Sequence, residues 1–411
     1  METIKFRWLA LETDLRNSSD IDYPLMSVSQ TKGVIPRSEL MGKEGRAESL
    51  ENYKVCLPGE IVINRMSAAS GALGLASQGG LVSPDYAILK PTKLVTPKYL
   101  EYLMRSSWFI GEMVARLKGI GVGGESASVR TPRINISDLG DVVVSLPTID
   151  KQVKTTGFLD EKVSSINRAL ESNKHLLDLS EEVLLSKIYE LFEVKPSPDY
   201  LLGKFGESIS LFRAGVRGQA GQTPKSSEPN FWTSSGSGTP WLSIGDMVSR
   251  GFVEVSEKDV TKLGLSEIGL TPNSSEVLLF AMYASMGKVS FARAGFVWSQ
   301  AILGLTTNEL NKYFLAAWLE IAKPSLKALA RSSTQDNLNA EQVMSLRIPV
   351  VKRMEQVKIG TKYLDLLEEH SNRISFLTRQ SELLNELKSS LITSAVTDGK
   401  FIDGMASDKN D

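Results

Sequence analysis

The chain has 411 residues, an apolar fraction of 42% and a formal net charge of −1. That length allows two or more domains with a core each, and a single cysteine, Cys56, excludes a disulfide framework or a cysteine-rich zinc site. No apolar run approaches the ~20 residues that span a bilayer, and the charged stretch Met1 to Leu11 lacks a signal-peptide core, so the sequence reads as a soluble cytoplasmic protein.

Residues 1–148 read as a first globular unit. Short apolar or alternating runs predict strands at Leu25–Val28, Ile61–Asn64, Leu73–Ala76 and Tyr86–Leu89, punctuated by Gly33, Pro36, Pro58-Gly59, Gly71 and Gly79-Gly80. Thr96 or Pro97 opens a helix expected to run to about Leu117. A glycine-rich loop follows from Gly119 to Gly124, then Ser126 to Arg133, then a strand at Val142–Leu146. Cys56 reads as a small residue at a strand edge.

Residues 149–195 hold a first long helix with a three-four apolar spacing at Val163, Ile166, Leu170, Leu177 and Leu184. Asn173 and Ser180 fall in the same seam, which suggests a specified pairing rather than a maximally stable one. Pro196 and Pro198 end it.

Residues 196–350 form a second globular unit, with strands expected at Leu242–Ile244, Glu276–Phe280, Lys288–Phe291 and Val297–Leu303 and a helix at Lys312–Ile321. The Ser-, Gly- and Pro-rich stretch Gly221 to Gly238 reads as an extended surface loop, and Arg331 to Asn337 as a polar loop. Residues 351–398 hold a second long helix with Leu367, Ile374, Leu377, Leu384 and Leu391 on its seam. A polar, flexible tail is expected at 399–411.

The chain repeats itself at an interval of roughly 200 residues, far longer than a solenoid period. Leu25-Met26-Ser27-Val28 returns as Trp241-Leu242-Ser243-Ile244, and Gly59 to Met66 returns as Ser275 to Met282. Lys98-Tyr99-Leu100 returns as Lys312-Tyr313-Phe314, and Leu146-Pro147 as Ile348-Pro349. The fold class expected is α+β: two similar domains with mixed β-sheet, separated by two long helices that form an antiparallel coiled coil, related by a pseudo-two-fold internal repeat. Heptad spacing alone also allows each helix to pack on its own domain.

No catalytic constellation emerges. The two histidines, His175 and His370, lie inside the long helices. Gly287-Lys288 lacks the rest of a phosphate loop, and Gly119 to Gly124 follows a helix rather than a strand, the wrong setting for a dinucleotide loop. Glu181-Glu182 and Glu368-Glu369 read as solvated helix faces. Metal sites and catalytic residues are therefore expected to be absent. The near-zero charge requires that any surface gripping phosphate arise by local segregation, or that a partner supply it.

Several segments together resemble a known family. They include Leu25-Met26-Ser27-Val28-Ser29 with Gly33-Val34, Pro58 to Met66, Gly80-Leu81-Val82-Ser83-Pro84-Asp85-Tyr86, Gly221-Gln222-Thr223-Pro224 and Pro240 to Met247. The junctions Leu146-Pro147 with Gln152 and Ile348-Pro349 with Glu355-Gln356 belong to the same pattern. The chain resembles the specificity (S) subunit of type I restriction-modification enzymes over nearly its whole length. It departs at Ile149-Asp150-Lys151, where the family commonly has Pro and Glu before the Gln.

The resemblance implies two target-recognition domains, each reading one half of a bipartite DNA target. The helices would fix the gap and dock two methyltransferase (M) subunits that bind S-adenosylmethionine. Restriction (R) subunits using ATP and Mg would join the complex, and this chain would hold no cofactor and no enzymatic activity. The alternative is a non-catalytic two-headed scaffold that binds proteins through its domains.

Base reading needs forked or amide side chains. The candidates are Arg65 and Ser67 in a hairpin and Arg130, Thr131, Arg133 and Asn135 in a loop of the first unit. Their second-unit counterparts are Tyr283 and Ser285, with Arg331, Ser333, Thr334, Gln335 and Asn337. Lys225 and Trp232 lie on a flanking loop suited to phosphate contact or stacking.

Overall fold

The computed structural model describes residues 2–17, 23–30, 32–41, 50–117, 132–194, 207–324, 326 and 337–397. The chain divides into two compact units, Met1–Asn173 with Arg379–Asp411, and Lys174–Thr378. Each long helix thus contributes to both units. The expected tail at 399–411 lies outside the described residues. Among the described residues no helix is long and apolar enough to cross a membrane.

In chain order the first unit contains β1 (Glu2–Lys5), β2 (Ala10–Thr13), β3 (Met26–Ser29), β4 (Gly33–Pro36), α1 (Arg37–Met41), β5 (Lys54–Cys56), β6 (Ile61–Ile63), β7 (Leu73–Leu75), β8 (Gly80–Val82) and β9 (Ala87–Pro91). It continues with α2 (Pro97–Arg105), α3 (Ser107–Val114), α4 (Ile136–Leu139), β10 (Val143–Leu146) and the start of α5 (Ile149–Leu191). The main sheet is antiparallel in the order β2-β9-β6-β7. Both its faces are apolar, as alternation along a covered strand requires. Ile61, Ile63, Leu73 and Leu89 pack toward α2 and α3, while Val62 and Ile88 pack with Cys56 and Val82 on the other face. β1 and β2 escaped the sequence reading because polar residues break their pattern.

The helix expected from Thr96 to Leu117 is two helices. Ser106 is extended (ψ 145°), and its hydroxyl accepts from the Phe109 amide at 3.2 Å, starting α3 as an N-cap. A serine that can cap competes with helix continuation. Cys56 is fully buried, with its thiol 3.4 Å from the Gly80 carbonyl.

The second unit contains β11 (Ser208–Ser210), β12 (Val216–Ala220), β13 (Trp232–Ser234), β14 (Thr239–Leu242), β15 (Phe252–Val253), β16 (Lys258–Val260), α6 (Lys262–Ile268), β17 (Val277–Ala281), β18 (Val289–Ala292), β19 (Val297–Trp298) and β20 (Ile302–Thr307). It ends with α7 (Lys312–Ile321), α8 (Ala340–Ser345), β21 (Arg347–Pro349) and α9 (Arg353–Thr397). Its main sheet, β12-β20-β17-β18-β15, repeats the order β2-β9-β6-β7 and adds β15 parallel to β18. A second sheet, β13-β16-β14-β19, takes up part of the Ser/Gly/Pro-rich stretch read as loop. The strand expected over Val297–Leu303 breaks at Ser299, whose carbonyl accepts from the Ile302 amide. The strand expected to reach Ile244 stops at Leu242, because Asp246 accepts from the Ser243 amide at 2.8 Å and holds a turn.

The repeat is real, but its register differs by one residue from the sequence pairing. The hairpins close equivalently at Asn64 N–H to Ala72 O and at Ala281 N–H to Lys288 O, so Ile61 and Ile63 correspond to Leu278 and Phe280. Likewise the caps Thr96 and Asn311 align Tyr99 with Phe314, both fully buried, rather than with Tyr313. A slip of one turns each strand side chain to the opposite face. Matching letters therefore misled where packing decides.

Both long helices meet their units in the same way. Gln152 is fully buried; its Oε1 accepts from the Thr96 amide (2.8 Å), and its Nε2 donates to the Leu94 and Pro147 carbonyls (both 3.0 Å). Gln356 repeats this with the Asn311 amide (2.9 Å) and the Val351 carbonyl (2.8 Å). One amide thus ties the start of a long helix to the cap of the preceding short one.

Within each unit the two long helices run antiparallel. In the first, Asn167 pairs with Lys388 (2.7 Å) and Asn173 with Ser381 (3.2 Å). In the second, Ser180 meets His370 Nδ1 at 3.0 Å, and Lys187 meets Glu369 at 3.1 Å. Of the expected seam residues, Val163, Ile166, Leu184 and Leu377 are buried and Leu170, Leu177, Leu367, Ile374, Leu384 and Leu391 are half-buried. The polar positions Asn173 and Ser180 are buried and each has a partner on the opposite helix. Each unit also packs on both helices: Ile392, Ala395 and Val396 join Leu159 and Val163 in the first core, and Leu184, Ile188 and Phe192 join Ile359 and Tyr363 in the second.

Replacing Gln152 with Ala strands an amide and two carbonyls in a buried site and should cost about 3 kcal/mol, measured by denaturant unfolding of the full chain; a loss below about 0.5 kcal/mol would mean water replaces the amide at no cost. Burial, with a smaller contribution from Glu60, pushes the Cys56 thiol up to about 11. The native protein should therefore resist a thiol reagent near pH 8 and react only as it unfolds; rapid labelling of the native state would contradict the packing of β5 against β8.

Candidate nucleic-acid interface

The two units present equivalent surfaces at the turn ends of their central hairpins. In the first, the chain between β6 and β7 folds into a 3-10 turn over Ala68–Ser70 and closes at Gly71, which is left-handed (φ 82°). The segment returning toward α4 docks on this turn through one backbone bond, Ile134 N–H to Arg65 O at 3.1 Å. The second unit repeats the device: Leu338 N–H donates to Met282 O at 3.1 Å. Its turn is tighter, with Ala284 (φ 48°) and Gly287 (φ 82°) left-handed and Lys288 N–H donating to Ser285 O.

This arrangement gathers the candidate residues into clusters. Arg65 and Ser67 lie on the first turn, and Arg133 and Asn135 flank Ile134 on the docked segment. Tyr283 and Ser285 lie on the second turn beside Asn337, the residue before Leu338. Arg130, Thr131, Arg331, Ser333, Thr334 and Gln335 lie outside the described residues.

The cations of the first cluster are partnered within the chain. The Arg65 guanidinium bonds the Glu12 carboxylate, and Arg133 sits 3.7 Å from Asp85, both of them exposed. Asn135 donates to Asp138 at 3.3 Å instead of capping α4. In the second cluster Ser285 is exposed and Tyr283 is half-buried against the core. Glu12 and Asp85 were not singled out in the sequence, since neither pairing is between chain neighbours.

Lys225 and Trp232 come together elsewhere, on the β13-β16-β14 sheet. The Trp232 indole donates to the Lys225 carbonyl at 3.3 Å and meets Trp241 edge-on with ring centroids 5.0 Å apart. The Trp241 indole donates to Gln222 O at 2.9 Å. With Thr223, Ser226, Pro229 and Lys258 the two indoles line an open groove of about 640 Å³. Trp241 and Lys258 were missed; β16 brings them together, pairing Trp232 with Val260 and Trp241 with Lys258. Among the described residues no group of three or more His, Cys, Asp or Glu is placed to hold a metal ion.

The likeness to known proteins lies in one domain and in the fold. A family model described as the type I restriction modification DNA specificity domain matches residues 214–386. A chain from a solved structure concerned with complex assembly and conformational transition of the type I R-M system covers 96% of this chain and 97% of its own, with TM-score 0.70 and 14% identity, a likeness of fold. An HsdS subunit from Thermoanaerobacter tengcongensis covers 96% of each chain at TM-score 0.49 and 15% identity. A type I restriction-modification S subunit from M. genitalium covers 96% of each at TM-score 0.38 and 14% identity. The family match thus identifies a type I restriction modification DNA specificity domain over residues 214–386, and the likeness of fold extends along nearly the whole chain.

Proposed function

We propose that the whole chain is a specificity (S) subunit of a type I restriction-modification system and reads a bipartite double-stranded DNA target, one half with each unit, through the paired turn-and-docked-segment surfaces. The observation that carries the reading is their equivalence: two copies of one surface, each built on the same hairpin and the same backbone bond, address two sites of one kind. Arg65, Arg133 and Asn135 supply the forked and amide groups of the first reader, and Tyr283, Ser285 and Asn337 contribute to the second. Arg130, Thr131, Arg331, Ser333, Thr334 and Gln335 belong to the same reading surfaces in this proposal. Lys225 and Trp232 hold backbone and sugar rather than base edges.

The long helices, of 43 and 45 residues, are about 65 Å each at ~1.5 Å per residue. Their seam residues, Val163 to Leu184 and Leu367 to Leu391, keep the pair in register, and the pair sets the unread gap. Two M subunits dock on it, bind S-adenosylmethionine and supply most of the phosphate contact that a chain of net charge −1 does not. R subunits, with ATP and Mg, complete the assembly in the cytoplasm. Catalysis belongs to those partners.

Methylome sequencing of the source cells with and without this gene tests the reading. Its loss should erase one bipartite methylated motif; an unchanged methylome would remove the proposal and leave a protein-binding scaffold. In the assembled methyltransferase, Arg133→Ala should weaken binding by ~1–3 kcal/mol and relax sequence preference in one half of the target alone. Lys225→Ala should weaken all sequences alike and lower the salt slope by about one. Equal loss of preference in both halves from Arg133→Ala would separate this residue from base reading.

A further inference from the structure

The second unit carries a buried charge cluster that no reading of DNA accounts for. Arg250, in a left-handed conformation (φ 61°) just before β15, has a side chain 8% exposed. Its Nη1 donates to Glu181 of α5 at 2.6 Å, and its Nε lies 3.1 Å from Glu320 at the end of α7, a carboxylate with no solvent exposure. Glu320 also holds Lys323 at 2.7 Å, and the second oxygen of Glu181 meets His370 Nε2 of α9 at 3.1 Å. Glu181 and Glu320 thus face Arg250 and Lys323, and the set joins the head, through one loop residue, to both long helices.

The first unit builds the same corner differently. Arg105 stands at the same distance from its helix cap as Glu320 does from Asn311, and Gly33, also left-handed, sits against Arg105 as Arg250 sits against Glu320. There the arginine is on the helix and reaches the backbone carbonyls of Gln30 (3.3 Å) and Leu73 (2.5 Å), inside the head. The arginine stands on the short helix in the first unit and on the loop in the second, and among the described residues it pairs with a carboxylate of a long helix in the second unit.

We propose that Glu181, Arg250 and Glu320 form a clasp that seats the second head on the helix pair, and that Arg250 is a positioning residue for the half-target which that head reads. The second clause rests on the function proposed above. A buried arginine held by two carboxylates from different elements has one geometry. Burial pushes the Glu181 carboxyl up, but Arg250 and His370 outweigh it and hold the group below its ordinary range, so the anion is present at neutral pH. Misplacing a recognition element by about 1 Å costs up to ~10²-fold, so the clasp acts on the tolerance for gap length rather than on base choice.

The test uses the full chain with its M subunits and duplexes carrying the target with its native gap or a gap one base pair longer or shorter. Glu181→Ala cuts the link to the helices and leaves the Arg250–Glu320 pair inside the head. It should lower the ratio of native-gap to altered-gap methylation by about tenfold and speed amide exchange at Val248–Gly251. Lys187→Ala, which removes an ion pair between the same helices without touching the head, should leave both unchanged. A wild-type ratio in Glu181→Ala, or an equal fall in Lys187→Ala, would overturn the positioning role. If wild-type protein shows no gap preference at all, the two-site reading fails; exchange at Val248–Gly251 then still decides the clasp, and unchanged protection in Glu181→Ala would dismiss it.

Discussion

Neither globular head buries its apolar face with the helix that follows it alone. The first core is closed by Ile392, Ala395 and Val396, from the far end of the described chain, and Tyr99 fixes the junction with a bond to the Val396 carbonyl at 3.2 Å. The second is closed by Leu184, Ile188 and Phe192, from the helix that leaves the first head. Burial of an apolar side chain is worth ~1.5–3 kcal/mol, so these contributions are large beside the margin by which a domain is stable. The antiparallel pairing of the helices within each unit follows from this need, since it brings the start of one helix and the end of the other to the same sheet.

The polar residues along the pairing seam have a different role. Asn173 with Ser381 and Ser180 with His370 each satisfy a buried group that would be costly beside an apolar side chain. Apolar layers supply attraction and tolerate sliding; the polar layers tolerate one alignment. Partial burial lowers the affinity of Lys388 for its proton, with Arg105 adding to the effect.

Much of this was legible in the sequence, and the failures have physical causes. The long helices, their seam residues and the strands at Ile61, Leu73, Val277 and Val289 announce themselves by periodicity, because one face or both are covered. Glu2–Lys5 and Ala10–Thr13 do not, because their residues are mostly polar and they are held by pairing with Val143–Leu146 and Ala87–Pro91. The duplication was visible, yet its register slipped by one: Ile63 stands with Phe280 and Tyr99 with Phe314, equivalences set by which face is covered. The helix break at Ser106 depends on a local bond that competes closely with helix, a balance residue type alone does not decide. Within the candidate interface, residue type picks out Arg65, Arg133 and Asn135 as base-reading candidates, while the docking of Ile134 on the hairpin turn, Glu12 beside Arg65 and Trp241 beside Trp232 required the fold.

The first head's dependence on Val396 and its neighbours bears on how the protein is made. A ribosome releases the first head's strands early, but residues that finish its core, Ile392, Ala395 and Val396, emerge about 250 residues after its last strand. The second unit, Lys174–Thr378, lies wholly between them in the chain. Nascent domains usually mature from the N-terminus onward; here the first head's sheet waits, partly uncovered, until the whole of the second unit has been made.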